Sequence, residues 1–173
     1  LIRQALEQAQ VAQGGGQVVE DGATLDERIK KAATDAAARL FRKFNLADAS
    51  GWDKAFSDAE RGLVNALEKV RHRETAEAHP AAQEILQKLG SNAWKGNKLR
   101  EEFMGEPYGW SQDAVDALLA VLFAVGQLRI INAGGAPWPA GKFNRRDVAA
   151  SSFSRETAPL SNEEKRAIAR LVK

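Results

Sequence analysis

Apolar residues recur three and four positions apart along much of this chain, the spacing of helices that bury one face. Leu25, Ile29, Ala32, Ala36, Leu40 and Phe44 predict a helix over residues 24–43. Thr24-Leu25-Asp26-Glu27 opens it as a capping box, in which hydroxyl and carboxylate satisfy each other's backbone amides. Upstream, residues 1–11 predict a helix that Gly14-Gly15-Gly16 breaks, and residues 13–23 read as a flexible linker. Downstream, Ser50 with Asp53 reads as a second cap. Trp52, Phe56 and Ala59 mark one apolar face, and Gly62 divides this region from a helix over Leu63–Val70. Residues 71–79, RHRETAEAH, form a charged connector. Pro80 suits the first turn of a helix that buries Ile85, Leu86 and Leu89 and stops at Gly90.

The stretch from Lys98 to Ile131 is the most informative. A short amphipathic helix, Lys98–Met104, carries Leu99 and Phe103. A Gly/Pro-rich turn follows, then an apolar helix over Ser111–Val125 that Gly126 ends. Leu128, Ile130 and Ile131 then alternate with Gln127 and Arg129 as a strand does. Its hairpin loop, Asn132 to Gly141, holds Trp138, and Phe143 and residues 151–155 supply return strands. Helix, turn, helix, glycine stop and strand is the order of a winged-helix domain. A final helix opens at the capping box Ser161–Glu164 and buries Ile168, Leu171 and Val172. The expected fold is mainly α with a small β-hairpin. It divides into an N-terminal helix and linker over 1–23, a helical subdomain over 24–78, and a winged-helix-like domain over 79–173.

Charge adds one asymmetry. The net formal charge of 173 residues is +2, close to neutral. From Gln127 onward, however, nine Lys and Arg face four Asp and Glu. The chain has no cysteine, so disulfides and thiolate metal sites are excluded. The run Ala117–Val125 is far shorter than a membrane span, and residues 1–10 are polar and amphipathic rather than a basic-then-apolar leader. The chain opens at Leu1 without methionine and reads as a cytoplasmic fragment of a larger protein.

Catalytic signatures are missing. Gly14–Gly16 lacks the preceding strand and following lysine of a phosphate loop, and no GxSxG elbow occurs. His72 and His79 stand seven apart, not at metal-ligand spacing; both read as surface residues, with His79 placed to cap the helix that Pro80 begins. We therefore expect no catalytic residue, no cofactor and no metal.

Binding is the remaining class. The 111–125 helix has no Arg or Lys, and Gln112 alone is a plausible base reader. Asp113 and Asp116 suit the positive end of the helix dipole and repel phosphates. Basic side chains flank the helix instead: Lys95, Lys98 and Arg100 before it, Arg129, Lys142, Arg145 and Arg146 after it. Such residues hold DNA backbone without sequence preference. Among the aromatics, Trp52 and Trp110 read as core. Trp138, between two prolines, either touches a partner or folds back on the hairpin.

The run Pro107-Tyr108-Gly109-Trp110-Ser111-Gln112-Asp113-Ala114-Val115-Asp116-Ala117-Leu118, followed by Gly126-Gln127-Leu128-Arg129, resembles the large P-loop ATPases of BREX phage-resistance systems (the BrxC/PglY type). Gly22–Glu27, Arg39–Phe41, Ala66–Val70, Ser152–Glu156 and Leu160-Ser161 extend the resemblance over most of the chain from Gly22 on. It implies a non-catalytic winged-helix module, downstream of the nucleotide-binding motifs, in a defence complex that acts with a DNA methyltransferase. The expected function is non-specific contact with DNA backbone through Lys95, Lys98, Arg129, Lys142, Arg145 and Arg146, with Gln112 near the groove. The alternative is a docking module that positions the ATPase against another subunit, using the apolar helix and Trp138.

Overall fold

The computed structural model describes residues 9–12, 16, 18–19, 22–138 and 143–157. Mainly helical, it carries small antiparallel sheets. The expected C-terminal helix, Lys142 and most of the first predicted helix lie outside the described residues.

The chain falls into two compact units, divided between Lys43 and Phe44. In the first, β1 (Val11–Ala12) pairs antiparallel with β2 (Val18–Val19), Val11 opposite Val19. Val11, placed at the end of the predicted helix, therefore lies in a strand with Ala12, and the linker reading of 13–23 misses β2. The β-branched valines favour extended backbone, and pairing buries Val19. Helix α1 (Leu25–Leu40) follows behind the expected cap: Thr24 Oγ1 accepts from the Glu27 amide at 3.2 Å, and Glu27 Oε2 accepts from the Thr24 amide at 3.2 Å. It stops at Leu40, short of the predicted end. None of its residues is buried, and Ile29 and Leu40 are 51% and 46% exposed.

The second unit begins with α2 (Trp52–Glu60). Its N-cap is Gly51, without a side-chain hydrogen bond, and not the expected Ser50–Asp53 pair. Close approach explains the glycine: φ is +102°, and a Cβ there would lie 2.6 Å from the Lys69 carbonyl oxygen. The helix expected over Leu63–Val70 shrinks to a 3₁₀ turn, Ala66–Val70. Gly62 turns at φ +80° before it and Arg71 ends it at φ +65°. Ala66, Leu67 and Val70 point inward while Leu63 and Val64 stay outside.

Helix α3 (Pro80–Leu89) has proline in its first turn and His79 as N-cap. A two-residue strand not foreseen from the sequence, β3 (Trp94–Lys95), leads into α4 (Gly96–Met104). Helix α5 (Gln112–Ala124) starts at Ser111, whose hydroxyl accepts from the Ala114 amide at 3.2 Å. Strands β4 (Leu128–Ile131) and β5 (Ser152–Arg155) complete a three-stranded antiparallel sheet, order β3-β5-β4. Phe153 sits opposite Trp94 on one side and Ile130 on the other. Phe143, expected in a strand, lies in the core outside any strand.

One continuous core joins Trp52, Phe56 and Leu67 to Ile85, Leu118 and Phe153. Residues 44–78 thus share a core with the elements after residue 79, and the expected boundary at 78/79 is not a break in packing. The apolar face of α2 needs a cover, and it finds α5.

Gly96 is where sheet and helices meet most closely. Its amide donates to the Ser151 carbonyl at 2.9 Å, and a Cβ would fall 1.9 Å from the Val148 carbonyl oxygen, which is backbone and cannot swing away. Gly96→Ala is expected to lower stability by at least about 1–3 kcal/mol, the usual cost of overpacking. Urea denaturation checks this, and a midpoint equal to wild type would mean that the 145–151 segment can move off α4.

Candidate functional site

Helix α5 is the element on which both binding readings turn. Every residue from Ala114 to Leu122 is buried, and only Ser111, Gln112 and Asp113 of its first turn are exposed. A helix apolar on all sides must be covered on all sides. Here α2 packs along one flank and α4 along another, with α3 and β4 also in contact. Trp52, Phe56 and Ala59 of α2, with Leu99 and Phe103 of α4, belong to the same core.

Asp116 departs from its expected place. It is not a solvated carboxylate at a helix end; its exposure is 0%. The Arg100 guanidinium grips it with two parallel bonds, Nε to Oδ1 at 2.8 Å and Nη2 to Oδ2 at 2.9 Å. Asp113 stays at the exposed first turn, where Arg145 pairs with it. The physical reason lies in the sequence around it. Ala114, Val115, Ala117 and Leu118 leave α5 no polar flank at that height, so Asp116 is buried with its neighbours and needs a cation. Arg100, grouped with the flanking basic residues, is that cation. Sequence reading missed the pair, although a carboxylate inside an apolar run was its signal.

The basic residues expected on phosphates are largely engaged within the fold. Arg145 Nη1 donates to Asp113 Oδ1 at 2.7 Å, and its guanidinium lies 4.6 Å over the Phe56 ring. It thereby ties the segment before β5 to α5 and α2. Arg129 Nε stands 3.5 Å from Glu156 Oε2, Lys98 Nζ 2.7 Å from Glu101 Oε2, and Lys95 Nζ donates to the Ala150 carbonyl at 3.3 Å. Arg146 is exposed, and its backbone amide bonds Asn144 Oδ1. Gln112 sits exposed at the start of α5.

Trp138 folds back on the hairpin. It is half-buried, its Nε1 donates to Ser151 Oγ at 3.1 Å, and its ring meets Phe143 edge-on at 6.0 Å. Trp110 is core as expected, stacked on Phe103 at 5.0 Å with Tyr108 against both. Burial, with the Glu84 carboxylate that accepts the phenol proton at 3.0 Å, pushes the Tyr108 pKa up to about 12. These rings plug the α4–α5 turn and offer no face to a base.

Apolar surface is exposed elsewhere. Leu63 and Val64 are 43% and 61% exposed. They follow Gly62, which with Ala59, Phe123, Ala124 and Phe143 lines a shallow pocket between the ends of α2 and α5. Among the described residues no three acidic, histidine or cysteine side chains gather as metal ligands. No described helix is long and apolar enough to cross a membrane.

Comparison with protein families, with curated proteins and with solved structures finds no match.

Asp116→Ala would leave the partly buried Arg100 charge without its partner, a loss of up to about 3 kcal/mol. Replacing both residues by leucine should recover most of it. If Asp116→Ala alone melts like wild type, Arg100 has another acceptor and the pair does not organise the α4–α5 packing.

Proposed function

We propose that residues 80–157 are a winged-helix module without catalysis of its own, part of a larger ATPase in a BREX-like phage-defence complex. Its work is to dock that ATPase against another domain or subunit. The order α3, β3, α4, α5, β4, β5 supports the winged-helix reading, in which α5 would take the part of the recognition helix. The resemblance around Pro107–Leu118 supports the parent assignment.

One observation weighs against groove reading and also moves docking off the expected α5 face: α2 lies along α5. A recognition helix enters the major groove with a free face. Here Ala114–Leu122 have none, and Arg145, Arg129 and Lys98 face carboxylates of their own chain. The exposed Leu63-Val64 pair beside the α2–α5 pocket supplies apolar surface for a partner domain.

Non-specific contact with DNA backbone is the second reading. It rests on the exposure of Arg146 and Arg129 beside the sheet, a property that phosphate binding uses without base contacts.

The test is two-armed. Leu63→Glu with Val64→Glu should abolish co-elution with the parent's separately expressed nucleotide-binding domain while leaving the melting temperature unchanged, since both side chains are exposed. Anisotropy of a labelled duplex should show at most weak, steeply salt-dependent binding. Nanomolar, sequence-selective duplex binding lost in Gln112→Ala would reject docking in favour of readout. Unimpaired co-elution of the double variant would place the docking surface elsewhere.

A further inference from the structure

We propose that residues 71–79 form an acid-sensitive clasp that fastens the start of α3 to α2. The clasp is built from three rings. His79 caps α3: its Nδ1 accepts the Ala81 amide at 3.2 Å, so that nitrogen must carry no proton. The His79 ring meets Trp52, the first residue of α2, edge-on at 5.7 Å, and meets His72 edge-on at 4.8 Å. His72 in turn donates from Nε2 to the Thr75 carbonyl at 3.0 Å, closing the connector on itself. Trp52 is held from behind by its own Nε1, which donates to the Ala47 carbonyl at 3.0 Å.

Protonation attacks this arrangement at one atom. A proton on His79 Nδ1 would replace the acceptor with a second donor facing the Ala81 amide. It would also place a charge in a buried site, next to a second imidazole. The groups around His79 offer no relief. His72 is the titratable neighbour, α2 presents the indole of Trp52, and the first turn of α3 presents Pro80, Ala81 and Ala82. Burial first, and the charge of His72 second, accordingly hold the His79 pKa down at about 4, from an ordinary 6.5. The sign follows from that direction. A histidine freed by opening binds its proton near pH 6.5, and the clasped one resists until about pH 4. The clasp is fully closed above pH 6.5 and weakens progressively as pH falls between those values.

His79 is not a metal ligand in this state. Its Nδ1 lone pair is spent on the Ala81 amide, so the neutral ring carries its proton on Nε2.

Amide hydrogen exchange on the full chain, corrected for intrinsic rates, tests the clasp. Protection of the Ala81 amide should fall on the order of 50-fold from pH 7.5 to 4.5, before the amides of α5 respond. His79→Asn keeps a short capping acceptor that does not titrate, and should flatten the response. His72→Gln, which removes the neighbouring charge, should raise the His79 titration in the closed state and so shrink the response. Imidazole resonances of the folded chain should place the His79 titration near pH 4. An equal pH response in His79→Asn, or loss of Ala81 protection only together with α5, would overturn the proposal.

Discussion

The burial of α5 on every side is the constraint from which the second unit follows. Beyond its exposed first turn, a helix of Ala, Val, Leu and Phe with one carboxylate, Asp116, in its middle cannot face water on any flank. Three consequences are forced. α2 must lie on it, which draws residues 44–78 into the same core. Arg100 must reach Asp116, which sets how α4 crosses beneath. The sheet must follow at once, because Gly126 turns at φ +77° and the Gln127 amide bonds back to the Leu122 carbonyl at 2.8 Å.

The same constraint underlies the proposal that this unit docks a protein rather than reads a groove. Base readout needs a helix that is half free, and specificity from side chains that reach base edges. α5 spends its surface on the core and leaves only its first turn outside. Charge does not compensate. The basic excess after Gln127, conspicuous in the sequence, is drawn down in the fold by Asp113 and Glu156. What remains is a scaffold with an apolar corner at Leu63-Val64, better suited to another protein surface than to a groove.

Much of this fold was legible in the residues. The capping box at Thr24, Pro80 in its first turn, the serine cap of α5 and the alternation at Leu128–Ile131 each carry a local rule that the structure obeys. What escaped prediction depends on contacts distant in sequence. β3 is two residues long and exists because Phe153 pairs with Trp94. Gly51 displaces the expected serine cap because the Lys69 carbonyl passes close by. Candidate-site residues were legible as types but not as roles. Arg145 reads as a phosphate ligand and serves as a strut over Phe56; Asp116 reads as a helix-end charge and is a buried acceptor. Trp138 was open to two placements, and a serine 13 residues further along the chain, Ser151, settles it by accepting the indole hydrogen bond.

Amide hydrogen exchange across α5, with and without duplex DNA, tests the central claim most directly. If α5 is enclosed by α2, α3, α4 and the sheet, the amides of Val115–Leu122 exchange at the slowest rate in the chain, and added DNA leaves them unchanged. Fast exchange in that segment, or protection that appears only when DNA is added, would show that α2 leaves α5 and that the helix reads nucleic acid after all.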